Sequence, residues 1–109
     1  MRNTGALSGA TTEALALMAT AVRAGRLGRG WTVGELAERV GVSRPTIVKI
    51  ERGDPGVAIG TVFESAVLVG VPLFDPRPDV RAQYRARMTT ELALLPTAAR
   101  PRRKIDDDF

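Results

Sequence analysis

Residues 31–53 read WTVGELAERVGVSRPTIVKIERG, and the fold turns on how this run divides. Thr32-Val33-Gly34-Glu35 has the T-x-x-E form in which hydroxyl and carboxylate each accept a backbone amide at a helix start. A helix is therefore predicted to begin at Thr32. Its apolar positions, Val33, Leu36, Ala37 and Val40, recur at the spacing of one helical face. Gly41 supplies the left-handed residue that ends it. Ser43 is the next N-cap. Pro45 is tolerated in the following first turn, because amides there have no intrahelical acceptor. Ile47 and Ile50 point inward, and Gly53 closes this helix before an Asp-Pro-Gly turn.

Two short helices joined by a tight turn make a helix-turn-helix pattern. Ala37 is small enough for the two axes to approach, and Val42 and Ile47 fill the angle between them. The second helix then has one anchored face and one free face. The free face carries Arg44, Pro45, Val48 and Lys49, with Arg52 at its end. A face of that shape and charge suits a DNA major groove.

Outward from this core, residues 1–11 are rich in Gly, Ser, Thr and Asn and read as flexible. From Thr12, the spacing of Leu15, Met18, Ala19 and Val22 predicts a first helix. Gly25, Gly28 and Gly30 weaken and then end it, while Arg23, Arg26 and Arg29 suit the negative end of its dipole. A fourth helix is expected from Ala58 to Gly70, apolar on nearly every side except at Thr61, Glu64 and Ser65. A surface helix of a monomer shows a polar face, so this one is expected to be covered twice, by the core and by either the fifth helix or another surface. The DPRPD segment at 75–79 is a hinge or helix start. Val80, Tyr84, Met88, Leu92 and Leu95 then mark a long fifth helix that Pro96 ends. No strand is compelling. The expected organisation is all-α: a domain over 12–75, a long helix over 76–95 packing on that domain or on a dimer interface, and a flexible charged tail over 96–109.

Composition narrows the chemistry. The 109 residues suggest one domain with an appendage. With one Trp, one Tyr and three Phe, the core must be built from Ala, Val, Leu and Ile. The 16 Lys plus Arg against 12 Asp plus Glu give +4 and a pI near 10.6, which favours an acidic partner. There is no Cys and no His, which excludes a disulfide framework, the usual zinc sites and a Cys or His nucleophile or base. No metal and no cofactor is expected. The carboxylates fall on helix surfaces and a terminal run, and no phosphate-cradling glycine motif is present, so catalysis is the poorest reading. No apolar run approaches the roughly 20 residues of a membrane span, and the N-terminus lacks the apolar core of a signal peptide. The expected location is the cytoplasm.

Through WTVGELAERVGVSRPTIVKIERG the chain resembles the XRE family of phage-repressor-like regulators, over residues 15–75. That resemblance implies a compact five-helix, lambda-repressor-like fold with Ser43 to Arg52 as the recognition helix. It places Arg44, Pro45 and Lys49 at base edges with Val48 adjacent, each good bidentate pair giving ~1–3 kcal/mol of discrimination. Phosphates would be met by Arg29, Thr32, Ser43, Thr46 and Arg52. It further implies a structural ion pair between Arg26 and Glu51. The partner is double-stranded DNA carrying a palindromic operator. A homodimer would read half-sites about one turn, roughly 34 Å, apart. Two positions depart from the family pattern: Val33 stands where a glutamine is common, and DPGVAIG after Gly53 lacks cations. Both point to modest affinity per monomer.

A narrower resemblance runs through GDPGVAIGTVFE at 53–64 and the ending RPRRKIDDDF, which are similar to HipB-type antitoxins. It implies an autorepressor that also binds a HipA-like kinase toxin, with Ile105, Asp106, Asp107, Asp108 and Phe109 as a docking tail. Two alternatives stand beside it. One is a stand-alone XRE regulator without a toxin; the other is a protein-interaction adaptor that has lost DNA binding. In every DNA-binding version the protein is cytoplasmic and nucleoid-associated when bound.

Overall fold

Ser8 opens the first helix, because its Oγ accepts the Thr11 amide at 3.1 Å. In the computed structural model, which describes residues 6–98, helix α1 spans Gly9–Gly28. The start expected at Thr12 thus lies three residues late. Apolar spacing locates the buried stripe of a helix, whereas the hydroxyl of its cap locates its end. Helices α2 (Val33–Val40), α3 (Arg44–Glu51), α4 (Ile59–Leu68) and α5 (Pro78–Ala93) follow, and no strand occurs among the described residues. The terminal residues Ile105, Asp106, Asp107, Asp108 and Phe109 lie outside the described residues.

The chain divides into two units after Phe74. In the first, α1 to α4 enclose a core of Val22, Leu36, Ala37, Ile47, Ile50, Ala66 and Val69. Every member is aliphatic, as the scarcity of aromatics requires. Full burial of each branched side chain contributes about 1.5–3 kcal/mol. Trp31 is half-buried against this core, as a lid would be.

Small residues set how closely the helices approach. A Cβ placed on Gly25 would lie 2.6 Å from the Val69 carbonyl oxygen, so α1 meets the end of α4 through backbone. Ser65 is fully buried on α4 and donates to the Thr61 carbonyl at 2.8 Å, which satisfies its hydroxyl inside an apolar interior. On the other side of α4, Ile59 and Val67 are exposed. Of the two covered sides anticipated for this helix, one is formed by the core of its own unit.

The second unit begins with a local turn. The Asp75 carboxylate accepts the Arg77 amide at 2.9 Å and pairs with the Arg77 guanidinium at 2.9 Å. That contact holds the Asp75 carboxyl below the ordinary carboxylate range. Arg81 donates to the Asp75 carbonyl at 2.8 Å, so the segment ahead of α5 is tied to its first turns. Helix α5 buries none of its side chains; Tyr84, Met88, Leu92 and Leu95 are all exposed. It stops at Ala93, with Leu94 as cap. Pro96 disfavours helical geometry at Leu95, which places the end earlier than the apolar stripe suggests. At the boundary between the units, Phe74 has φ 62° and is 82% exposed. No helix among the described residues is long and apolar enough to cross a membrane.

The Gly25 approach is testable. Gly25→Ala is expected to destabilise the chain by about 1–3 kcal/mol in urea unfolding, because a backbone carbonyl cannot swing away from the new methyl. A stabilised variant would show that helix propensity, and not this contact, governs the position.

Candidate nucleic-acid interface

The α2–α3 pair is built from its caps inward. Thr32 Oγ1 accepts the Glu35 amide at 3.0 Å, and the Glu35 carboxylate accepts the Thr32 amide at 2.7 Å. Gly41 takes φ 86°, and the Gly41 and Val42 amides both donate to the Ala37 carbonyl, at 2.8 and 2.9 Å. A side chain with a Cβ is strained in that left-handed turn, so glycine is the residue that allows it. Ala37 is buried at the crossing, with Ile47 and Ile50 of α3 also buried.

Ser43 holds the N-cap position of α3, but its hydroxyl does not cap an amide. Its Oγ instead pairs with Thr46 Oγ1 at 2.9 Å. The reason lies in the next two residues. A cap oxygen normally receives the second or third amide of the helix. Here the second is Pro45, which has no N–H, and the third, Thr46, donates to the Ser43 carbonyl at 3.1 Å. Two of the three hydroxyls expected at phosphates, those of Ser43 and Thr46, are thereby coupled to each other.

Opposite Ile47 and Ile50, residues Arg44, Pro45, Val48 and Lys49 are exposed together on α3, and Arg52 is exposed at its C-cap. Neither ion pair among the described residues involves Arg44, Lys49 or Arg52. Thr32 is exposed with its oxygen occupied by its own capping box. Arg29, also expected at a phosphate, has an internal partner. Its Nη1 donates to the Val69 carbonyl, and its guanidinium lies against Gly70, where a Cβ would come within 2.9 Å. The last carbonyls of a helix are unsatisfied acceptors that favour a cation, and α4 supplies them. Arg29 thus ties the end of α1 to the end of α4 while remaining exposed.

Arg26 and Glu51 hold α1 to the end of α3. Arg26 Nε and Nη2 donate to Glu51 Oε2 and Oε1 at 2.7 and 3.0 Å, and Nη1 donates to the Trp31 carbonyl at 2.8 Å. Both side chains are only 8% exposed. The hydrogen bond to Glu51 raises the Arg26 pKa above its ordinary value; burial opposes this, and Coulomb attraction adds to it. Arg39, which sequence patterning does not single out, places its guanidinium 4.1 Å from the Trp31 ring centroid. Eight residues separate the two, so no helical spacing rule would have found the pair.

The features now assembled are a capped short helix, a glycine turn at φ 86°, a second short helix with a buried inner face, and exposed cations on its outer face that make no ion pair among the described residues. Residues 22–75 match the helix-turn-helix family. The matched stretch begins on α1 at the buried Val22 and takes in all of α2, α3 and α4. Comparisons with curated proteins and with solved structures found no match.

Removing one member of the buried pair leaves the other charge uncompensated. Glu51→Met or Arg26→Met alone is expected to cost about 3 kcal/mol in chemical denaturation, while the double variant recovers most of that loss. Strictly additive losses would show the two side chains to be energetically independent.

Proposed function

We propose that this helix-turn-helix chain is a sequence-specific DNA-binding transcriptional regulator, with α3 as the helix that enters the major groove. One observation carries the reading: Arg44, Pro45, Val48 and Lys49 share the outer face of a helix whose inner face is buried and whose end is held by an ion pair. Arg44 or Lys49 serves guanine, and Pro45 and Val48 offer apolar contact to a thymine methyl. Thr32, Ser43, Thr46 and Arg52 flank these positions and serve the phosphates. Arg29 acts there only with the donors that its bond to Val69 leaves free.

The finer reading is an autorepressor that works as a homodimer on a palindromic operator. The apolar residues left exposed on α4, and separately on α5, support a self-association surface. The run 53–64 and the ending of the chain support a HipB-type antitoxin with a HipA-like kinase toxin as partner. A kinase-like reading frame beside the gene, and copurification from that operon, would test this partner directly. An adaptor without DNA binding is the competing class, and the α3 cations speak against it.

Arg44→Ala and Lys49→Ala are each expected to lower selectivity for the chosen DNA by about tenfold, in line with the loss of one bidentate base contact, without lowering the melting temperature. Arg52→Ala should weaken all duplexes alike and reduce the slope of binding against log salt by about one. Undiminished selectivity in both α3 variants would remove DNA reading from this face.

Self-association is tested separately by sedimentation, with and without duplex. The expected result is two chains per palindromic site, half-sites roughly 34 Å apart. One chain per site at saturation would overturn the dimer.

A further inference from the structure

Gly34 occupies the second position of α2, an eight-residue helix. Glycine is the poorest helix former after proline, and a helix so short can least tolerate one. Nothing in the backbone requires it. Gly34 is not in the left-handed region, unlike Gly30, Gly41, Gly53 and Gly70, which have φ from 71° to 86°. What requires it is a side chain from the other helix. A Cβ built on Gly34 would lie 2.7 Å from Arg44 Nε, 2.9 Å from Nη2 and 3.0 Å from Cζ, and these three atoms are its nearest neighbours. The edge of the Arg44 guanidinium therefore rests on the bare Cα of α2. Any other residue would displace it.

We infer that Gly34 is a positioning residue for DNA reading: it is the seat that fixes the direction in which Arg44 leaves α3. This rests on the proposal that Arg44 reads a base. Arginine has a long side chain whose freedom must be lost before a planar contact to guanine can form. Resting on Gly34 removes part of that freedom in advance. The same contact lets α2 and α3 present one guanidinium jointly, so its direction depends on the crossing of the two helices and not on α3 alone.

The energetics separate this role from a packing role. Arg44 is exposed, and the atoms that a methyl would meet belong to the far end of its flexible side chain. Gly34→Ala can thus be accommodated by moving Arg44, with no cost to the core. Alanine also favours the helix. Stability and selectivity should move in opposite directions.

The experiment selects binders from a random-sequence duplex pool with the full-length chain, then repeats the selection with Gly34→Ala, Arg44→Ala and the double variant. Melting temperatures are recorded for all four. The expected result is that Gly34→Ala melts no lower than the parent and yet loses about tenfold in preference at the base pair whose identity Arg44→Ala also erases. The double variant should be no worse than Arg44→Ala, because the glycine acts through the arginine. A parent that selects a motif, with Gly34→Ala selecting it equally well, would overturn the inference and leave the DNA reading intact. So would a lowered melting temperature in Gly34→Ala, or a further loss in the double variant. A parent that selects no motif would overturn the DNA reading and the inference together.

Discussion

The first unit depends on one guanidinium. Arg26 donates to both carboxylate oxygens of Glu51 and to the Trp31 carbonyl, while the Trp31 amide returns a bond to the Arg26 carbonyl at 3.1 Å. Three segments meet there: the end of α1, the entry to α2 and the end of α3. The surrounding core is entirely aliphatic, and aliphatic contacts say little about the rotation of one helix against another. An ion pair removed from water gives little net stability, because desolvation cancels much of its attraction. Its directional bonds do restrict geometry. Glu51 ties the C-terminal end of α3 to α1, and the Gly41 turn sets its approach from α2, so both ends constrain the direction its outer face looks.

That mounting explains how a modest excess of cations becomes a localised one. Net charge alone does not say where the field is. The structure sorts the arginines by the acceptors around them: Arg26 to Glu51, Arg29 to the Val69 carbonyl, Arg39 over Trp31, and Arg77 and Arg81 around Asp75. Each of these has an acceptor or an aromatic face within its own unit. Arg44, Lys49 and Arg52 on α3, like Arg23 on α1 and Arg85 on α5, have no ion pair among the described residues, and three of these five share one short helix. The residues suited to an external anion are those that internal chemistry has not claimed.

Much of this was readable from residues 31–53, because capping boxes, left-handed glycines and small crossing residues are local rules with local consequences. Thr32, Glu35, Ala37 and Gly41 do what their spacing implies. The sequence misleads where an outcome depends on competition between groups. Ser43 has the right chemistry for a cap, but Pro45 removes one of its two amides and the Ser43 carbonyl takes the other. Arg29 has a partner that no local rule names, the Val69 carbonyl at the end of α4, 40 residues on. For α5, an apolar stripe signals that a face can be buried, not that its own unit buries it.

The α2–α3 face compensates for what it lacks in charge. The Val33 side chain can make no hydrogen bond and the loop after Gly53 carries no cation, so under the proposed function phosphate neutralisation by one copy would be limited. Under such limits, affinity depends on how little order must be created at the moment of contact. Buried Ile47 and Ile50, the Arg26–Glu51 pair and the Gly34 seat each impose that order before any ligand arrives. Under the proposed function, a rigid reader with few charges would discriminate between sequences while holding each one weakly. In the proposed dimer, joining two such readers would make the second contact intramolecular, multiplying weak but selective contacts without adding a single new cation.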